Sequence, residues 1–157
     1  CLAAQLLAHA AGAKVAPMVN AQGQRLREVG WGSLKLHLTN DTVLRGLPAQ
    51  VEILHWHGDA CALPDRAVLL ASTQVCPVQM YRIGRCFGLQ FHPEIDIEVL
   101  DCWLQMKGGP EEIEGEGLDG EILRQQTIRE EAGANQRVQK LVDYFLDNIA
   151  TSEIKPV

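Results

Sequence analysis

Long apolar runs, paired cysteines and an excess of positive charge are all scarce in these 157 residues. No uninterrupted apolar run approaches the ~18 residues a membrane-spanning helix needs, so none is expected. No basic stretch leads into a short apolar segment, so no secretory signal is legible. The five cysteines, Cys1, Cys61, Cys76, Cys86 and Cys102, are odd in number, widely spaced and free of any C-x-x-C pair. That pattern argues against a disulfide framework and for reduced thiols in a cytoplasmic protein. The four beyond Cys1 lie beside apolar residues and are expected to be small buried hydrophobes. A net charge of -6 disfavours a nucleic-acid partner. There is no G-x-x-x-x-G-K-S/T loop and no other glycine-rich nucleotide motif, so no ATP-driven step and no cofactor is expected of the chain itself.

What is present suits one α/β domain, since 46% of the residues are hydrophobic and the length matches a single core. Charge is uneven along it. Residues 1–94 carry eight Lys/Arg against six Asp/Glu, whereas residues 95–157 carry six against fourteen. Much of the acidic excess lies in 111–121, which reads as a solvated loop or helix face. Residues 2–11 read as a helix, with Leu2, Leu6, Leu7 and Ala10 at helical spacing and Gly12 placed to end it. Ser33 to Thr39 alternates wet and apolar residues and predicts a half-buried strand. Asn40-Asp41 and Gly46-Leu47-Pro48 bracket a short helical turn. Strands are expected over 51–56, 67–72, 79–83 and 86–91, the last two joined as a hairpin by Gly84-Arg85. Beyond Pro93 the pattern turns helical, is stopped at Gly108-Gly109-Pro110, and resumes as an apolar stripe from Val138 to Ile149. Residues 1–107 are thus expected to form the core, and 108–157 an acidic loop and helical C-terminal segment of the same domain.

Three features carry chemistry. Cys1 stands immediately ahead of a helix, whose free N–H groups and partial positive charge favour a thiolate, with the N–H of Leu2 available to an oxyanion. In Gln90-Phe91-His92-Pro93-Glu94, the i, i+2 spacing projects His92 and Glu94 together, and a carboxylate beside an imidazole fixes its tautomer. His55-Trp56-His57-Gly58-Asp59 offers metal-type ligands at close spacing. Ala60, where a further histidine often stands, argues against that use, and no metal is expected.

In this order the features resemble a class I glutamine amidotransferase domain, of the stand-alone branch similar to the amidotransferase half of GMP synthase. The likeness rests on Cys1-Leu2-Ala3-Ala4-Gln5-Leu6-Leu7-Ala8, Glu28-Val29-Gly30-Trp31-Gly32, Gly46-Leu47-Pro48, His55-Trp56-His57-Gly58-Asp59, Leu63-Pro64, Leu70-Ala71-Ser72 and Gly88-Leu89-Gln90-Phe91-His92-Pro93-Glu94. The resemblance implies a flavodoxin-like three-layer α/β sandwich, with Cys1 as nucleophile, His92 as general acid/base and Glu94 as its orienter. It also implies a substrate pocket of Leu2, Gln5, Trp56, His57 and Gly58. The substrate would be L-glutamine, hydrolysed through a cysteine thioester, with ammonia passed to a partner synthetase subunit. A γ-glutamyl peptidase on the same scaffold would share this acyl-enzyme, and a non-catalytic amidotransferase-like module is the third reading. Ala3 replaces the elbow glycine of the pattern, and Ala4 a residue that is often polar. The resemblance also implies strands ahead of the nucleophile that this sequence does not contain, so the chain is expected to be inactive alone.

Overall fold

The computed structural model describes residues 1–37, 42–44 and 47–150. Helix α1 (Leu2–Ala10) is followed by β1 (Val15–Pro17), β2 (Glu28–Leu36), a 3-10 turn (Thr42–Leu44), β3 (Gln50–His57) and β4 (Asp59–Cys61). Then come β5 (Val68–Ser72), β6 (Met80–Ile83), β7 (Cys86–Leu89), α2 (Ile97–Gln105), α3 (Gly109–Gly115), α4 (Gly120–Phe145) and a π turn (Leu146–Ala150). Five strands form one antiparallel sheet in the order β3-β2-β5-β6-β7, and β1 pairs with β4 beside it.

The alternation of apolar residues decides what covers each sheet face. Leu34, Leu36, Val51, Ile53, Leu70 and Met80 turn to one side, where the 3-10 turn and Leu141 and Tyr144 of α4 pack on them. Leu69 and Tyr81 turn to the other, against Ala4 and Ala8 of α1. A third cluster, centred on Leu54, Ile95, Leu100, Ile113 and Leu123, joins α2, α3 and the first half of α4 to the far end of the β2–β3 ribbon. The result is a sheet with helices on both faces. Two polar ties fix α4: the Trp31 indole N–H donates to Thr127 at 2.8 Å, and Arg124 holds Asp101 of α2 at 2.5 and 2.8 Å.

Helix α1 turns its alanines inward. Ala4 and Ala8 are buried and Leu7 packs beside them, while Leu2 and Leu6 are 63% and 60% exposed. The reason is close approach. The Tyr81 ring lies directly over Gly88, where an added Cβ would come within 2.4 Å of it, and its hydroxyl donates to the Ala4 carbonyl at 2.6 Å. Only a small residue on the helix fits that spacing.

The expected strands at 51–56, 67–72 and 79–83 are present within a residue or two, and the Gly84-Arg85 hairpin forms. β7 ends at Leu89, before Phe91, and β2 begins earlier than expected, at Glu28. Leu38, Thr39, Asn40, Asp41 and Gly46 lie outside the described residues. Gly108-Gly109-Pro110 follows the end of α2 and also starts α3, because Gly108 adopts a left-handed φ of 96° and Pro110 fits the first helical turn. The acidic stretch, read as a solvated loop or helix face, is helical up to Gly115 and again from Gly120, and Ile113 within it is buried. Cys61 and Cys76 are buried as expected, but Cys86 in the hairpin and Cys102 on α2 are exposed. The apolar stripe of α4 is only partly covered: Val142, Phe145 and Leu146 remain 38–50% exposed.

Gly88→Ala is expected to lower stability by about 1–3 kcal/mol, because the buried Tyr81 ring has nowhere to retreat. Urea unfolding, compared with Gly115→Ala, where the added Cβ meets nothing within 4 Å and φ is not left-handed, measures the steric part.

Candidate active site

Cys1 is the N-cap of α1, and its carbonyl accepts from the N–H groups of Ala4 and Gln5 at 3.1 and 3.2 Å. No acidic residue occupies the first turn, so the positive end of the helix is left uncompensated beside the thiol. The side chain borders two cavities. One, of about 300 Å³, is walled by His92, Trp56, Trp103 and Met106 and closed by Gly108-Gly109. The other, of about 350 Å³, is polar and lined by Gln5, Arg25, Arg27, His57 and Asp59 among others.

His92 is held from three directions. Its backbone N–H donates to the Leu54 carbonyl at 2.9 Å, which ties the segment after β7 to β3. Its Nδ1 meets Glu94 Oε1 at 2.8 Å, and its ring stands edge-on to Trp103 with centroids 4.9 Å apart. The opposite nitrogen, Nε2, is buried and carries no hydrogen bond. Since Nδ1–H donates to the carboxylate, the lone pair of the neutral ring is on Nε2, and His92 lines one cavity with Cys1. The i, i+2 pairing expected of a strand thus survives although the strand has ended.

Burial is the largest influence and pushes the Glu94 carboxyl up, but the hydrogen bond from His92, a backbone hydrogen bond and nearby positive charge together bring the net direction down from 4.5. Burial raises the Cys61 thiol and pushes Cys76 up to about 11, so neither is a nucleophile near neutral pH.

The polar cavity is organised around one backbone atom. The Asp59 carbonyl accepts from Gln5 Nε2 at 3.1 Å, His57 Nδ1 at 3.1 Å and Gln90 Nε2 at 2.9 Å. The Asp59 side chain instead pairs with Arg25 at 3.0 Å, away from both histidines, so the H-x-H-x-D set suggested by spacing does not assemble. His57 lines the cavity with Gly58, as expected of a wall residue. Leu2 also lines it, and Trp56 borders both cavities.

With these positions set, likeness to known proteins becomes informative. Residues 1–102 match the family described as glutamine amidotransferase class-I. The chain belongs to that family. It is 37% identical over 98 residues to a glutamine-hydrolyzing GMP synthase of Syntrophomonas wolfei, covering 60% of this chain and 18% of that protein. It is 33% identical over 109 residues to gamma-glutamyl peptidase 3 of Arabidopsis thaliana, covering 64% of this chain and 41% of that protein. A solved glutamine amidotransferase from Thermotoga maritima superposes with a TM-score of 0.82 at 26% identity, over 94% of this chain and 61% of that one. The chain spans less than two thirds of each, and its fold is the flavodoxin-like α/β arrangement of class I amidotransferases.

Two groups at this candidate site were given no role by the sequence reading. Glu112 of α3 accepts from the Trp56 indole at 2.7 Å and from Arg27 at 2.8 Å, and it borders both cavities. An acidic run offers no signal for which glutamate turns inward. Glu28 stands directly across from His57 in the β2–β3 register, with 3.4 Å between their side-chain atoms. Only the strand pairing, not local spacing, brings them together. Burial pushes the Glu28 carboxyl up, but hydrogen bonds with His57 and Thr73 hold it below its usual value. Burial drives His55 down to about 4, so that imidazole is neutral near neutral pH.

A depressed carboxyl pKa stabilises the fold above the unfolded value near 4.5, and that contribution is lost as pH falls through the lower folded value. His92→Ala is expected to move the Glu94 titration back up. Carboxyl ¹³C NMR measures it, and an unmoved midpoint would show that the His92 contact does not set it.

Proposed function

We propose that Cys1, His92 and Glu94 hydrolyse the side-chain amide of L-glutamine and release ammonia for a partner synthetase. The observation that carries this is the shared cavity of Cys1 and His92, with Nδ1 of His92 engaged by Glu94 and Nε2 left unbonded. A nucleophile, a base and an orienter in that relation are what acyl transfer through a thiol requires.

The steps follow from the positions. His92 takes the Cys1 thiol proton onto Nε2, the thiolate attacks the side-chain carbonyl carbon, and the resulting oxyanion is met by N–H groups at the start of α1, with Leu2 the first. His92, protonated on Nε2, gives that proton to the departing nitrogen, so ammonia leaves and a γ-glutamyl thioester remains. Water then attacks the thioester while His92 takes its proton, and glutamate departs with the thiolate restored. Glu94 holds the imidazole in one tautomer and favours its charged form. The polar cavity suits the amino-acid end of glutamine, with Gln5 and the Trp56-His57-Gly58 segment as its wall.

One observation favours a second reading. The cavity on the His92 side is lined by Trp56, Trp103 and Met106 and has room for a leaving group larger than ammonia. A γ-glutamyl amide of an apolar amine would fit there, which is peptidase or hydrolase chemistry, and a relative carries the name gamma-glutamyl peptidase.

A glutamine-shaped chloroketone is expected to label Cys1 alone, whereas iodoacetamide also reaches the exposed Cys86 and Cys102. Peptide mass mapping of the full-length protein reads this, and chloroketone spread over several thiols would sink the nucleophile assignment. His92→Ala is expected to lower kcat/KM by about 10²–10⁴-fold. Glutamine compared with a γ-glutamyl anilide, by kcat/KM, separates the two readings.

A further inference from the structure

We propose that Glu28, His55 and His57 form a binding site for a zinc-class divalent cation, with the carboxamide of Gln79 as a fourth donor. The site lies in the β2–β3 ribbon, outside the Cys1–His92–Glu94 set, and does not depend on amide hydrolysis. It also departs from the expectation of no metal, because its carboxylate is Glu28 and not Asp59.

The strand register does the assembling. Glu28 sits opposite His57, and His55 lies two residues along the same strand and therefore on the same face. Ligand atoms of all three lie within 4.8 Å of one another. The 3.4 Å between His57 Nε2 and Glu28 Oε2 is about the separation of two ligands on a tetrahedral ion with bonds of ~2.0–2.1 Å. His57 is already oriented for this role. The Asp59 carbonyl only accepts, so the contact puts a proton on Nδ1, and a cation would take the place of the proton that Nε2 shares with Glu28.

The remaining polar groups are left in deficit. His55 is 3% exposed, and neither of its ring nitrogens has a hydrogen-bond partner. A buried, unpartnered imidazole is unusual, since groups of this kind are normally satisfied. Gln79 is fully buried, its Oε1 has no partner, and its Nε2 faces Glu28 at 2.5 Å, His57 at 3.3 Å and Thr73 at 3.3 Å. One amide has two N–H bonds for those three neighbours while its oxygen goes unused. A cation reverses both shortfalls: it takes the His55 lone pair, and rotation of the carboxamide brings Oε1 onto the ion. Two imidazoles, a carboxylate and an amide oxygen suit zinc and its first-row neighbours better than magnesium or calcium. Entry is open, because Glu28 and His55 line a cavity of about 270 Å³ floored by Gly30 and Gly32. An ion there would fasten Gln79 to both strands and stiffen the β3 end that carries Trp56 and His57.

Cobalt titration of the metal-free chain tests the proposal. One equivalent of Co²⁺ is expected to give visible d–d absorption without a thiolate charge-transfer band, and Zn²⁺ to displace it. Glu28→Gln and His55→Phe are expected to weaken Co²⁺ binding at least ~10-fold, whereas His9→Ala on the exposed side of α1 leaves it unchanged. In the wild-type chain, Zn²⁺ is expected to shift the ring ¹⁵N signals of His55 and His57 but not of His37. That measurement decides alone if either variant fails to fold. Absence of the cobalt spectrum, its survival in both variants, a sulfur charge-transfer band, or unmoved His55 and His57 nitrogens would each overturn the site.

Discussion

Three side chains from three separate stretches of chain converge on the carbonyl oxygen of Asp59, and the arrangement of the site depends on that meeting. Gln5 brings α1, and with it Cys1. His57 brings the end of β3. Gln90 brings the segment that continues into His92. A carbonyl oxygen has two lone pairs, so three donors crowd it and each is held in a narrow range of positions. Because the acceptor is backbone, no substitution at Asp59 removes it. The side chain of the same residue faces outward to Arg25 at 3.0 Å, which leaves the inner atom to the network.

Around that atom the layers divide the labour. The sheet and the second half of α4 bury aliphatic residues and supply most of the core. The helices after His92 close the opposite end, where Trp56, Trp103 and His92 stack edge to face with centroids 5.4 and 4.9 Å apart. Edge-to-face contacts fix ring orientation as well as position. His92 is therefore aimed by an aromatic wall on one side and a carboxylate on the other. The α3 glutamate that joins Trp56 to Arg27 carries this rigidity outward to the rim of both cavities.

Much of this was legible in the sequence, for reasons that differ by element. The strand through Ser33 to Leu36 announces itself by alternation, and the His92–Glu94 pair by spacing, because both depend on residues close in the chain. The motif order over residues 1–94 carried the family. What could not be read depends on distant partners. Val15–Pro17 is a three-residue strand whose pairing lies at Asp59–Cys61. The spacing in α1 does not say which face is buried; Tyr81, 77 residues away from Ala4, decides it by meeting the alanine side. Glu28 opens a family-like motif, but nothing near it in the chain pairs it with His57; the β2–β3 register does. Glu112 is one glutamate among several, singled out only by the indole it meets.

The contact of Tyr81 with Gly88 and Ala4 behaves mechanically like a lever. Its fulcrum is the β6–β7 hairpin, its short arm ends at the single hydrogen on Gly88, and its long arm rests on the helix that starts at Cys1. A methyl group added at the hairpin would not stay a local disturbance. It would tilt a stiff ring and displace the start of α1, some three residues before the point of contact. Position 88 is thus constrained by a cavity it never touches.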